Sequence, residues 1–312
     1  LRFAGSFAEE AFRKLEDEQR LCWLSEHHQA FARRKFDLGH VHVVFESTAS
    51  YGEALHEAMY KAGLQVSCVN PRMAKHFKLS LNQQAKTDRI DALTLARYGA
   101  ERKPPVRPPI SPTLKRLRAW VGELDALVEE RRRLLNRIEN TTDKIVLQHQ
   151  EATLRALEKR IEAVDRSIAS LIQGDPTLAR HSQLLQTIPG IASRTASRVL
   201  AHIEGKDFES ARSLAAYAGL APTIHQSGTS VLKRPHLGKI GNASLRRALY
   251  MPASVAKRCC LPISRWADSL LSRGKSKKSV RAAVMRKLLH IIFGVLKHDQ
   301  PFDPSKAALA IP

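Results

Sequence analysis

Between Leu117 and Leu171, apolar residues recur at alternating steps of three and four. Leu117, Val121, Leu124, Val128, Leu135, Ile138 and Ile145 form one run, interrupted by Arg131 and Thr142. Leu154, Leu157, Ile161, Val164, Ile168 and Leu171 form a second. A strand, with its two-residue side-chain period, cannot keep such residues on one face. The middle of the chain is therefore confined to long helices whose apolar stripes must be covered. Sustained three-four spacing with charges between is a coiled-coil signature, here of two long helices over 113–175. Two readings stand: an arm that spaces domains or pairs subunits, or a helical bundle within one subunit.

Before this block the pattern changes. "HVHVVFES" (40–47) alternates toward a strand through Val41, Val43 and Phe45 and ends at Glu46. "YGEALHEAMYKAG" (51–63) spaces Leu55, Ala58, Met59 and Ala62 as a helix stopped by Gly63, and "LQVSCVNP" (64–71) reads as a second strand ended by Pro71. Strand, helix and strand within about thirty residues make a βαβ unit with parallel strands. A further helix carries Asp88 and Asp91. Proline-rich "KPPVRPPISP" (103–112) then stops regular structure and predicts a stiff linker. Residues 1–103 thus read as an α/β domain, 104–112 as the linker, 113–175 as the helical arm and 176–312 as a mostly α C-terminal domain.

The formal net charge is +21, and residues 227–300 hold sixteen Lys/Arg against two acids, Asp268 and Asp299. Two thirds of the surplus is therefore one local surface, and such a surface attracts polyanions, nucleic acid first. Few aromatics interleave with it, which favours contacts to a duplex backbone over base stacking. The apolar run "LLHIIFGVL" (288–296) is too short to span a bilayer, and the N-terminal stretch lacks a signal-peptide core. Cys22, Cys68, Cys259 and Cys260 have neither metal-ligand nor disulfide-framework spacing, and the adjacent pair reads as two small buried or half-buried residues. A reducing cytoplasm is the expected setting.

Three motifs can carry chemistry. In "LLQTIPGIASRTASRVLAHI" (184–203), two helices flank a tight Ile188-Pro189-Gly190-Ile191 turn, the pattern of a helix-hairpin-helix. Its backbone N–H groups can face a phosphate, with Gly190 allowing close approach. In 217–253 the small residues Ser227, Gly228, Thr229 and Ser230 precede Lys233, Arg234, Lys239, Asn242, Arg246 and Arg247. A hydroxyl among fixed cations could attack a phosphodiester, and a Ser-Gly pair could equally be only a turn. The acids are the third motif. Glu46 lies at a strand's C-terminal end, where ligands gather in open α/β sheets, and Asp88 and Asp91 share a helix face. They are either helix-start charge or half of an oxygen cage for Mg²⁺ or Mn²⁺.

Taken together, "HVVFESTASYG" (42–52), "VSCVNPRMAKHF" (66–77), "AKTDRIDALTLAR" (85–97), "IPGI" (188–191), "AAYAGLAP" (215–222), "SGTS" (227–230), "KIGNASLRRALYMPA" (239–253) and "MRKLLHIIFGVLK" (285–297) resemble one family. It is that of the DEDD-type insertion-sequence transposases with a RuvC-like nuclease domain, related to the Piv-type DNA invertases. The resemblance runs from about residue 40 onward, in order. It implies a RuvC/RNase H-like domain, a coiled-coil arm and a C-terminal transposase domain. It also implies site-specific strand exchange on duplex DNA, an element-encoded guide RNA, a homo-oligomer and a cytoplasmic, nucleoid-associated bacterial protein. By resemblance, Glu46, Asp88 and Asp91 are ligands of Mg²⁺ or Mn²⁺. The nucleophile that links covalently to DNA falls on Ser227, with Ser230 in reserve.

One departure accompanies the likeness. The family's first aspartate lies on a first strand in a motif resembling "IGIDVSK", and residues 1–39 read instead as a charged, helix-forming stretch. Asp17 and Asp37 lack the flanking apolar run. The expectation is a chain truncated before that strand, with weakened metal binding, retained nucleic-acid affinity and impaired catalysis. Two other functions compete with strand exchange: a nucleic-acid-binding remnant that does not cut, and a metal-dependent nuclease that uses water.

Overall fold

The computed structural model describes residues 42–46, 51–83, 87–227, 231–238 and 240–305, and gives only the backbone for 51, 88, 224–227 and 231–236. The expectations for residues 1–39, Ser230 and Lys239 lie outside the described residues. The chain divides into two compact units between Ile110 and Ser111.

In the first unit, β1 (His42–Glu46) and β2 (Gln65–Val69) pair in parallel, with Val43 opposite Val66 and Glu46 opposite Val69. Parallel neighbours need a crossover, which α1 (Tyr51–Lys61) supplies. It stops where Gly63 takes φ +79°, a left-handed conformation that costs glycine nothing. Val43, Phe45 and Met59 pack on buried Leu64 and Val66. The chain then turns into α2 (Pro71–Ser80), capped by Asn70, and α3 (Asp88–Arg102), capped by Thr87. The two helices are clamped by an edge-on Phe77–Tyr98 contact at 5.2 Å, with the Arg102 guanidinium over Phe77 at 6.0 Å. Gly99 lets α3 lie close on β1: a Cβ there would come within 2.8 Å of Val44 Cγ2.

The proline-rich segment starts as part of this unit rather than as a free tether. Arg107 N–H donates to Val66 O, and His56 Nε2 lies 2.9 Å from Arg107 O. The buried Ser67 hydroxyl lies 3.0 and 2.8 Å from the Pro104 and Pro105 carbonyls. With its proton used there, its oxygen is left to accept from His42 Nε2 at 2.7 Å. Prolines lack an N–H, so this segment joins the sheet through their carbonyls and the single Arg107 donor.

Among its described residues the second unit is helical apart from one hairpin. α4 (Pro112–Glu139) and α5 (Lys144–Gln173) run antiparallel, joined by residues 140–143 and linked by the Arg131–Glu158 and Arg160–Glu123 ion pairs. The buried side chains of α4 are Leu114, Leu117, Val121, Leu124, Leu127 and Leu134, so the stripe is wider than a heptad seam. Leu127 and Leu134 are buried, while Val128 and Leu135, which the spacing had put in the seam, are half-buried; α4 packs against both α5 and the later helix α7 (Ser193–Ile203). Ile145, placed in the seam by spacing, is 79% exposed at the start of α5.

After α6 (Pro176–Gln186) comes the Ile188–Ile191 turn, then α7 and α8 (Ala211–Tyr217). An antiparallel hairpin of β3 (Pro222–Ser227) and β4 (Val231–Leu237) occupies ground that reads as loop in the sequence. Its register shifts where Arg234 and Pro235 face one residue of β3, since a proline in β4 cannot donate to the ladder. Then follow α9 (Ala243–Ala248), α10 (Tyr250–Cys259), α11 (Leu261–Ser272) and α12 (Lys277–His298). α12 is the hub. Its Leu288, Leu289 and Ile292 are fully buried, and it packs against α6, α8, α10 and α11. Cys260 is buried and Cys259 exposed, so only one of the pair is a core residue.

Leu124 is fully buried in α4. Leu124→Ala should lower unfolding stability by about 2–5 kcal/mol, read as a shift of the urea midpoint. Ile145→Ala, at the exposed end of α5, should shift it by less than about 0.5 kcal/mol.

Candidate functional site

The acids come first. Glu46 is the last residue of β1 and half-buried. Asp88 opens α3 behind the Thr87 cap, and Asp91 follows one turn later. Lys78 of α2 reaches Asp91, with Nζ 2.5 Å from Oδ1; the lysine side chain is 17% exposed and the aspartate 39%. Among the described residues, no group of three or more His, Cys, Asp or Glu side chains converges closely enough to hold a metal. The Asp88 side chain is not among them. The described side chains of Glu46 and Asp91 are not shown gathered into a cage; each fits a hard divalent ion in donor type, and a cation, the Lys78 ammonium, is already drawn to Asp91.

Ser227 ends β3, opposite Val231 across the hairpin, and Lys233 and Arg234 follow on β4. The backbone thus places the serine at the tip of a two-stranded ribbon with cations on its return strand.

Three of the proposed nucleic-acid contacts have internal work to do. Gly190 takes φ +87°, and a Cβ there would lie 2.5 Å from Pro252 O and 3.2 Å from Ala256 N. Its close approach is to the backbone of α10, which is a sufficient reason for glycine without any duplex. Asn242 caps α9, its Oδ1 accepting from Leu245 N–H, and its Nδ2 donates to the Tyr217 hydroxyl at 2.9 Å. Arg246 Nη1 donates to Ala218 O at 2.9 Å, which ties the end of α8 to α9. Arg247 next to it is exposed.

The structure also gathers residues that spacing could not join. Arg118 and Asp125 of α4, His202 of α7, Lys206 and Ser244 line a cavity of about 250 Å³. Asp125 accepts from Arg198 Nε at 2.7 Å and from the Ser244 hydroxyl at 3.1 Å. Arg118 donates to the Ala201 and Glu204 carbonyls, and so closes the C-terminal end of α7. No sequence signal marks this cluster, because its members come from three helices and the loop after α7, up to 126 positions apart, from Arg118 to Ser244.

Burial holds His202 below the ordinary imidazole range; Lys206 and Arg118 add to this and Asp125 opposes it. His290 is held low by burial too, with Arg286, Lys287 and Arg212 adding to the effect. Nε2 of both rings is buried without a hydrogen-bond partner among the described residues.

The first comparison with known proteins is with family models. One described as Transposase IS116/IS110/IS902 family matches residues 182–267, and a DEDD transposase model of the IS110 type matches residues 12–147. The pilin gene-inverting proteins of Moraxella bovis and Moraxella lacunata are each 34% identical over 287 residues, covering 90% of this chain and 85% of the relative. A probable family 20 transposase of Pseudomonas aeruginosa is 30% identical over 156 residues, 48% of this chain and 44% of the relative. The protein is of the transposase and recombinase class. More narrowly, the chain belongs to the IS110 family of DEDD transposases, whose N-terminal region is RNase H-like.

Gly190→Ala should cost about 3 kcal/mol or more, seen in thermal unfolding without nucleic acid, because the carbonyl it meets belongs to a helix backbone. A pH series gives a second test. With folded-state values depressed at His202 and His290, the unfolded chain binds more protons just below its own value of about 6.5. Stability is full above that value and falls as pH drops toward the folded values. The urea midpoint should therefore decline from about pH 7 to about pH 5.5, and the His202→Gln/His290→Gln pair should flatten that decline.

Proposed function

We propose that the chain is a DNA strand-exchange enzyme, a transposase or invertase, with an acidic metal site of Glu46, Asp88 and Asp91 and Ser227 as nucleophile. One observation carries the proposal: a relative described as inverting a gene aligns over 90% of the chain, across the acids and the serine hairpin alike. The proposed domains are a RuvC-like domain over 1–103, a linker over 104–112, the α4–α5 pair as a coiled-coil arm within 113–175 and a DNA-binding domain over 176–312. Duplex DNA is the substrate, an element-encoded RNA the guide, and a homo-oligomer the working form.

The serine step balances without an external energy source. Ser227 Oγ forms a bond to phosphorus as the bond from phosphorus to one deoxyribose oxygen breaks. The departing oxygen leaves as a hydroxyl bearing the proton that serine gives up, so the phosphodiester energy is kept in the phosphoserine link. A hydroxyl of the incoming strand reverses the step. Glu46, Asp88 and Asp91 are the residues that would hold the divalent ion, and Lys233 and Arg234 set positive charge beside the phosphate as negative charge grows on it. A bound Mg²⁺ or Mn²⁺ would supply Lewis-acid polarisation of the phosphate oxygens. Lys239 and Arg247 serve as backbone contacts, and the N–H groups of the Ile188–Ile191 turn as a phosphate cradle beside Gly190. Asn242 and Arg246 act on DNA through the α8–α9 corner that they hold.

Ser227→Ala should abolish both recombination and the covalent protein–DNA adduct while leaving DNA binding intact, as checked by denaturing gel and by binding titration. Persistent cutting in that variant would mean that water is the nucleophile. If wild type binds DNA but neither cuts nor forms an adduct with Mg²⁺ present, the chain is a binding protein only. Arg247→Ala should leave folding unchanged and lower the slope of log affinity against log salt by about 0.9.

A further inference from the structure

The Lys78–Asp91 pair is more than a tie between helices. α2 and α3 are already clamped by Phe77 on Tyr98, and the connection between them is held by the Thr94 hydroxyl, which donates to Gln83 Oε1 at 2.9 Å. Asp91 has no need of a lysine for compensation either, since its side chain is 39% exposed, one turn into α3, and water can solvate it there. Yet Lys78 is folded inward until its side chain is 17% exposed, and its ammonium meets Oδ1 at 2.5 Å. Drawing an ammonium that far out of water costs free energy, and a carboxylate at contact distance recovers it.

We propose that Lys78 is the internal counter-cation of the acidic site. Its ammonium neutralises Asp91 while the site is empty, and it gives up that oxygen when a hard divalent cation binds. This rests on the acidic metal site proposed above. Lys78 is thus a positioning residue. It offsets the charge of Asp91 before loading, and it sets how tightly the divalent ion is held, because the ion must compete with it. The released ammonium stays on the same face, close to wherever a phosphate meets that ion.

The test is a Mn²⁺ titration of the full chain followed by electron paramagnetic resonance, with Lys78→Met, Lys78→Gln, Lys78→Arg and Asp91→Asn beside wild type. Removing the competing charge should tighten Mn²⁺ about fivefold in Lys78→Met and Lys78→Gln, the size of effect expected for a partly exposed ion pair. Lys78→Arg should stay near wild type. Amine-selective acetylation read by mass spectrometry should find Lys78 more reactive with Mn²⁺ than without. An unchanged or weaker Mn²⁺ affinity in both neutral variants, with Asp91→Asn still weakening it, overturns the inference and leaves the metal site standing. If Asp91→Asn binds Mn²⁺ as wild type does, the acidic site itself falls, and the inference with it.

Discussion

The second unit depends on covering one helix from two sides. α4 carries an apolar stripe too broad for a single partner: α5 covers part of it, and α7 closes over the rest. Each buried leucine there contributes on the order of 2 kcal/mol, and an uncovered stripe would forfeit it. Satisfying that stripe fixes where α7 lies, and α7 in turn fixes the Ile188–Ile191 turn. Gly190 then receives α10 at a distance that no side chain would permit. Polar groups follow the same geometry. Arg118 reaches the carbonyl end of α7, and Asp125 joins Arg198 to Ser244. These contacts bring α4, α7 and α9 together around a cavity.

In the first unit the equivalent constraint is parallel pairing. A parallel neighbour forces a crossover helix, which leaves the C-terminal ends of β1 and β2 side by side, with Glu46 opposite Val69. α3 lies across β1 because Gly99 offers no side chain to Val44. A strand-end carboxylate and a helix-start carboxylate are thus carried by elements in direct contact. Asp91 is met there by a lysine from α2. That ion pair sits between two regimes: sheltered enough to hold one geometry, exposed enough to exchange its partner.

Much of this was readable beforehand. The βαβ unit follows from alternation at 43 and 45, a helical period over 51–62 and a glycine stop, and the structure shows those elements within two residues of the expected bounds. The long helices follow from three-four spacing, although that spacing could not say which side of α4 would be most deeply covered. Val128 and Leu135 are half-buried and Leu127 and Leu134 buried, because the helices around α4 decide which side is covered and local spacing does not encode where they lie. The hairpin was missed because a proline and several polar residues hide the alternation of β4. The acids, the Ser-Gly pair and the basic block were each visible, and each by itself was ambiguous.

What the sequence by itself determined is periodicity, charge and motif order: which segments are long helices, where the basic residues cluster along the chain, and that the chain belongs with the IS110-family transposases. Those properties are written in neighbouring residues and survive without coordinates. Tertiary structure alone decided what each singular residue is for. It set Gly190 against α10, Arg246 on a carbonyl, the proline segment on the sheet and Lys78 on Asp91. Each of those is a contact between positions distant in the chain, chosen by packing against surfaces that exist only once the helices have met.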